Sequence, residues 1–453
     1  MYIRVQNFYR KLEGLSMKII RVLAAILIAV IVSVNFVPKA WAFCGFYVAK
    51  ADSKLYNQAS QVILARDGNR TILTMANDFQ GDVKDFAIVV PVPVVIQQEQ
   101  VRVGDPKIIE RLDAFSAPRL VEYFDPDPCD PMYEEDSAPP GSRGGGRTRG
   151  GPSQPDGALG VTVEARFTVG EYDILILSAK ESDGLETWLK RNDYKLPRGA
   201  NQLLRPYIRQ NMKFFVAKVN FEEFEKTGSQ FLRPIQMAYE SSKFMLPIRL
   251  GMMNASTDQD LIVYVLSPKG QAEITNYRTV NVPSDAEIPI FIKNEFNDFY
   301  KAMFQTAYIR EGKNVAFREY AWDMNSCDPC SAEPLNREEL KKSGVFWLTP
   351  NSSNNVFITR LHVRYSRQKF PEDLTFQETS NRQQFQGRYI LHHPFTGEMN
   401  CESGKTYQKS LSARFEQEAK ALSRLTAWKV EDIRKKINVV QNQPTPWWRT
   451  VWP

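Results

Sequence analysis

Two cysteines three residues apart, Cys327-Asp328-Pro329-Cys330, form the sharpest chemical signal in the sequence. Such a pair can pass two electrons when a helix N-terminus behind it lowers the thiol pKa and steadies the thiolate. Here a predicted strand over 314–322 precedes the pair, and a predicted helix near 336–343 follows it. Residues 331–335 separate the second cysteine from that helix, and no thioredoxin-like βαβ pattern surrounds it. In an oxidising compartment the same spacing makes a short structural disulfide. We therefore expect Cys327 and Cys330 to be bonded to each other, with thiol–disulfide exchange by this pair as the alternative.

Arg360, His362 and Arg364 make the second constellation. Strand alternation places the three on one face, with Thr359, Leu361, Val363 and Tyr365 on the other. Two guanidinium groups around an imidazole can clasp a carboxylate or phosphate, so these residues are the anion-binding candidate. The competing reading pairs them with acids on neighbouring strands, such as Glu319, Asp323, Glu372 or Asp373, because like charges on one strand face repel.

Other signals are weaker. Ser403-Gly404-Lys405-Thr406 resembles the end of a phosphate loop, but Met399 stands where the motif needs its first glycine. His392 and His393 adjoin a proline, and with His362 they are the only histidines, too few for a His-rich zinc centre. No G-x-S-x-G or H-E-x-x-H occurs. Neither a catalytic residue, a metal site nor a cofactor is expected. The five cysteines cannot all pair within one chain. Cys129 and Cys401 each lie near a turn-rich stretch and are candidates for a second bridge, leaving Cys44 free, although sequence alone does not fix connectivity.

The elements that must position these groups are mixed. Val62–Arg66 and Thr71–Met75 read as a hairpin over Asp67-Gly68. Phe86 to Val92 is an apolar run suited to a strand buried on both faces, its end marked as a sheet edge by Pro91 and Pro93. Asp105-Pro106 caps and opens a helix with Ile108, Ile109, Leu112 and Phe115 on one face. Strands over 161–169 and 172–177 meet at Gly170, and a short helix covers 183–191. Further strands fall at 213–219, 231–239, 244–250, 261–266 and 356–365. The helix 292–309 carries Phe296, Phe299, Tyr300, Met303, Phe304 and Ala307 at the spacing of a buried stripe, and another spans 407–427. The fold class is α+β, strand-rich mixed sheets with several packed helices.

The N-terminus has the layout of a secretory signal. Lys18 and Arg21 precede the apolar run Val22–Val34, and Ala40-Trp41-Ala42 forms a small-residue cleavage site, so cleavage is expected between Ala42 and Phe43. Met17 is the expected true start. The formal charge of +6 is mostly the signal's own, because residues 1–42 hold six Lys or Arg against one acid. The remainder is near neutral, which removes any global argument for nucleic acid. Residues 43–127 form a β-rich region, 128–160 a Gly/Pro/Ser/Arg-rich disordered linker, 161–440 a larger mixed region and 441–453 a flexible Trp/Pro tail. No later apolar run is long enough to cross a membrane after cleavage.

Several ordered motifs together resemble one family. They are Cys44-Gly45-Phe46-Tyr47, DFAIVVPVP at 85–93, YFDPDPC at 123–129, GLETWLKRNDYKLP at 184–197, the 327–330 cysteine pair and TRLHVRY at 359–365. The chain from Cys44 to about Cys401 is similar to exported bacterial proteins of the domain of unknown function 2330. The resemblance implies export and lends no activity. The expectation is an exported, periplasmic or extracellular protein, a non-enzymatic binding or envelope-associated interaction module with an envelope or extracellular partner.

Overall fold

The computed structural model describes residues 46–49, 56–57, 60–76, 79–80, 86–130, 162–180, 182–191, 200–228, 232–253, 258–327, 330, 332–349 and 355–441. The expected cleavage site at Ala42 and Phe43, Cys44, most of the linker and the 442–453 tail lie outside them. Helices and strands occur in comparable amounts, and the class is α+β.

Two sheets carry the fold. The larger has nine strands. Its main path runs Arg278–Asn281, Val315–Asp323, Phe357–Tyr365, Gln259–Ser267, Ser60–Asp67, Arg70–Ala76, Ile235–Glu240 and Val101–Val103, with Phe385–Gln386 beside Val315–Asp323. Most neighbours are antiparallel, but Ser60–Asp67 runs parallel to Gln259–Ser267. Gly68 takes φ +60° in the turn of the Ser60–Ala76 hairpin, a conformation that costs glycine least. The second sheet has five antiparallel strands, ordered Phe46–Ala49, Phe86–Val92, Lys213–Val219, Tyr172–Ser178 and Thr162–Val169.

Alternation along these strands explains the layers. Leu361 and Val363 of the larger sheet bury against the cluster that holds Ile88, Val90, Ile174 and Phe215 of the smaller one. The opposite face of the smaller sheet, with Ala87, Val89 and Phe214, is covered by Leu185 and Leu189 of the Ser182–Arg191 helix and Leu204 of Ala200–Arg209. Helices also cover the far face of the larger sheet. Pro106–Ser116 and Arg337–Lys342 lie over one half, and Phe296–Arg310, Glu402–Thr426 and Val430–Gln441 over the other. The order is helices, sheet, sheet, helices.

Along the Phe86–Val92 strand, residues 87–92 are buried on both faces, as their composition implies. It is an inner strand, yet Phe46–Ala49 pairs only with residues 86–89, so Pro91 needs no ladder donor on that side. Strands from before and after the linker pair with one another in both sheets, and the described residues form one compact unit. The start of the expected linker is ordered, because residues 128–130 form a turn that Cys129 ties to Cys401. Two expected strands are shorter than their apolar runs: Pro234 delays one to Ile235–Glu240, and Pro247 limits another to Met245–Leu246. No helix among the described residues is long and apolar enough to cross a membrane.

Candidate functional site

The charged seam begins with a β-bulge. Arg318 pairs with Leu361 and Tyr320 with Arg360, so Glu319 is the extra residue on its strand. The bulge changes the strand's parity: Phe317 faces the helices before it, Tyr320 faces them after it, and Glu319 sits between. The carboxylate is only 1% exposed. It accepts from Arg360 Nε at 2.6 Å, from His362 Nδ1 at 2.8 Å and from the Tyr300 hydroxyl.

The seam extends in both directions. Arg360 Nη1 donates to Asp113 Oδ1 at 2.7 Å, on the Pro106–Ser116 helix, and its guanidinium lies over the Tyr264 ring. His362 Nε2 lies 3.1 Å from Asp260 Oδ1, and Arg364 holds that carboxylate with two bonds of 2.7 and 2.8 Å. The Phe304 ring stacks on His362 with centroids 3.8 Å apart, and the Arg364 guanidinium lies over the Phe304 ring, 4.8 Å from its centroid. Arg360, His362 and Arg364 therefore face Asp113, Glu319 and Asp260, three cations against three carboxylates.

This arrangement sets the protonation states. Burial pushes the Glu319 carboxyl up, but the opposing fields of Arg360 and His362 and their hydrogen bonds hold it down at about 2. Burial likewise opposes the charged form of Asp260, and His362 and Arg364 depress it below the usual carboxylate range. Burial alone would lower the His362 pKa, and Glu319 with Asp260 raise it above the ordinary imidazole value. With a carboxylate at each ring nitrogen, His362 is placed as an imidazolium.

All three members of the anion-binding candidate thus share one face, and each is matched by the chain's own acids. Glu319 is the one partner among the four acids named from sequence. Asp323 binds Arg382, Glu372 accepts from Asn276, and Asp373 accepts from Tyr207 and the amides of Ile248 and Arg249. Asp113 and Asp260 were missed. Asp260 is directly across from Arg364 and shares the parity of Ile262 and Tyr264, a pattern visible in its strand. Asp113 follows Ile109 by four residues, at the edge of its helix's apolar stripe.

A model of the family described as an uncharacterized protein conserved in bacteria (DUF2330) matches residues 38–377. The chain belongs to this family. No curated protein and no solved structure matches it.

In this DUF2330 chain the four described cysteines form two close pairs. Cys327 and Cys330 are at disulfide distance, with Cα atoms 5.0 Å apart. Their sulfurs sit against carbonyl oxygens, Cys330 Sγ at 3.3 Å from Cys327 O and Cys327 Sγ at 4.0 Å from Ala332 O. The nearest helix following them starts at Arg337 and is already closed by an Asn336–Glu339 capping box. Cys129 and Cys401 lie with sulfurs 2.06 Å apart across 272 residues of sequence. The Ser403–Thr406 stretch is inside the first turns of the Glu402–Thr426 helix, not in a phosphate-cradling loop.

One surface feature of the DUF2330 chain escaped the sequence reading. Arg119–Phe124 is the outer strand of a parallel three-stranded sheet with Arg388–His393 and Ala286–Glu287. Its last residues, Tyr123 and Phe124, are 47% and 73% exposed. Tyr123 stacks on His392 and Phe124 on His393, with centroids 5.5 and 4.4 Å apart. Glu122 in turn holds His393 Nε2 at 2.8 Å and Lys293 at 2.9 Å. Cross-strand register, which sequence does not fix, makes these pairs.

Proposed function

We propose that this protein is exported and acts outside the cytoplasm as a non-enzymatic binding module of the cell envelope. The observation that carries the binding reading is the exposed strand end of Tyr123 and Phe124, two aromatics on opposite faces of an outer strand, each stacked on a histidine. Exposed aromatics fixed in one orientation give contact area at little entropic cost, a property of recognition surfaces. The charged seam supports the same reading from the other side: its cations are matched internally, so it serves as structure. The carbonyl oxygens around Cys327 and Cys330 disfavour a thiolate there, which weighs against thiol–disulfide catalysis by that pair. The signal-like N-terminus supports export, with Phe43 as the first residue of the mature chain.

The test has two parts. The full chain is expressed in a bacterium and fractionated, and the exported form is sequenced from its N-terminus; an intact Met17 start retained in the cytoplasm refutes export. Wild type and the Tyr123→Ala/Phe124→Ala variant are then compared for retention on purified envelope preparations. Retention should fall at least tenfold in the variant, with an unchanged circular dichroism spectrum. Equal retention of both proteins refutes the assigned surface.

A further inference from the structure

Cys401 differs from both members of the 327–330 pair in one respect: it is a helix N-cap. The Glu402–Thr426 helix is 25 residues long, and Cys401 Sγ accepts a hydrogen bond from Gly404 N at 3.1 Å. Glycine is needed at 404, because a Cβ there would come within 2.9 Å of Met399 Cβ and 3.0 Å of its carbonyl oxygen. The close approach brings the amide under the sulfur. Cys129, its bonded partner, sits in a turn in which Asp127 Oδ1 accepts from Cys129 N at 2.8 Å. Both cysteines are half-buried, so a small thiol has access to the bond. The Pro128 carbonyl oxygen is also near Cys401 Sγ, but at 3.9 Å it is farther than the amide.

A helix N-terminus and an amide donor both favour negative charge on sulfur. In thiol–disulfide exchange the better-stabilised thiolate is the better leaving group. We propose that the Cys129–Cys401 bond is an exchange-competent disulfide, opened by an external dithiol with Cys401 as the leaving thiolate. One thiolate of the dithiol attacks Cys129 Sγ; a new S–S bond forms there, the Cys129–Cys401 bond breaks, and its electron pair stays on Cys401. The second thiol of the dithiol loses its proton to solvent and attacks the mixed disulfide, which releases Cys129 as a thiolate that takes up a proton. The dithiol ends oxidised to a disulfide, and the protein gains two electrons.

Opening the bond leaves a second clasp in place. Asp125, four residues ahead of Cys129 in the same connection, accepts from Arg414 Nη1 at 2.6 Å and from the Tyr407 hydroxyl, both on the Cys401-capped helix. The reduced protein therefore keeps the strand end against that helix, and exchange needs no global unfolding. The inference does not depend on the envelope-binding reading, since it concerns the purified protein alone.

The test uses the full mature chain. Cys129→Ser leaves Cys401 as a thiol, and Cys401→Ser leaves Cys129. The alkylation rate of each is followed against pH by peptide mass spectrometry. Cys401 should titrate at or below about 7.5 and Cys129 near the ordinary value of about 8.5. Wild type treated with glutathione should carry the adduct on Cys129 with an unchanged circular dichroism spectrum. A Cys401 thiol that titrates at or above the ordinary value, or an adduct mainly on Cys401, overturns the proposal. Should the variants not fold, partial reduction of wild type followed by acid quench and alkylation decides it. Cys129 and Cys401 should then be labelled before Cys327 and Cys330, and the reverse order is a refutation.

Discussion

Glu319 Oε2 accepts from Arg360 Nε at 2.6 Å, between two side chains that are 1% and 7% exposed. A pair buried this deeply is costly to break and cheap to replace whole. Glu319→Ala leaves Arg360 and His362 without their shared carboxylate and should cost about 3–5 kcal/mol. The double change Glu319→Leu/Arg360→Met should cost clearly less than the single, because no unmatched charge stays behind at that pair. Asp113→Ala, at the exposed end of the seam, should cost no more than about 1 kcal/mol. Urea unfolding of the three variants measures these differences. Equal costs for the single and the double would show that the seam contributes by packing, not charge.

The same seam sets two flanks in a stability–pH profile. Glu319 and Asp260 are depressed in the fold, so their contribution is present above the unfolded values of 4.5 and 3.8 and is lost as pH falls toward 2. His362 is raised, so its contribution is full below 6.5 and is lost as pH rises through its folded value. Thermal unfolding from pH 2 to 9 should show both losses. His362→Gln should remove the alkaline loss and shrink the acid one, which Arg360 and Arg364 still sustain, and an unchanged alkaline slope would count against the imidazolium assignment.

Glu418 behaves in the opposite sense to Glu319. Burial pushes its carboxyl up to about 7; Arg414 opposes the shift, and Glu287 and Asp125 add to it. It lines a small cavity with Ile290, Phe291, Pro394, Phe415 and Ile437. Its contribution is full below the unfolded value of 4.5 and is lost as pH rises to about 7. Glu418→Gln should match wild type near pH 4 and exceed it at pH 8 by on the order of 2 kcal/mol. Denaturant midpoints at the two pH values test this.

Gly344 closes the Arg337–Lys342 helix with φ +100°, its amide bonded to Lys341 O at 3.0 Å. A Cβ there would lie 2.8 Å from Ile72 Cγ2. Gly344→Ala combines a left-handed backbone with a core clash and should cost at least about 1 kcal/mol. A melting temperature equal to wild type would refute both parts of the argument.

How much of this was legible from residues alone depends on the range of the cause. Local causes were read correctly. The alternation of Phe357–Tyr365 puts Arg360, His362 and Arg364 on one face, and Asp105-Pro106 opens a helix with Asp105 accepting from Lys107 N. Causes that need a distant partner were not legible. Nothing in VAFREYAW shows that the strand bulges at Glu319, since the bulge exists only against the Phe357–Tyr365 register. The Glu402–Thr426 helix starts five residues earlier than its periodicity implies, because its first turns are polar and a cysteine takes the cap usually held by Ser, Thr, Asp or Asn.

The parallel pairing of Ser60–Asp67 with Gln259–Ser267 has a consequence for synthesis. The hairpin at the middle of the larger sheet is made first, and its central neighbour follows about two hundred residues later. At ribosomal rates that interval is about 10–40 s. Throughout it a long apolar edge has no native strand to cover it, so the middle of the finished sheet is, in the nascent chain, the portion with most need of a chaperone.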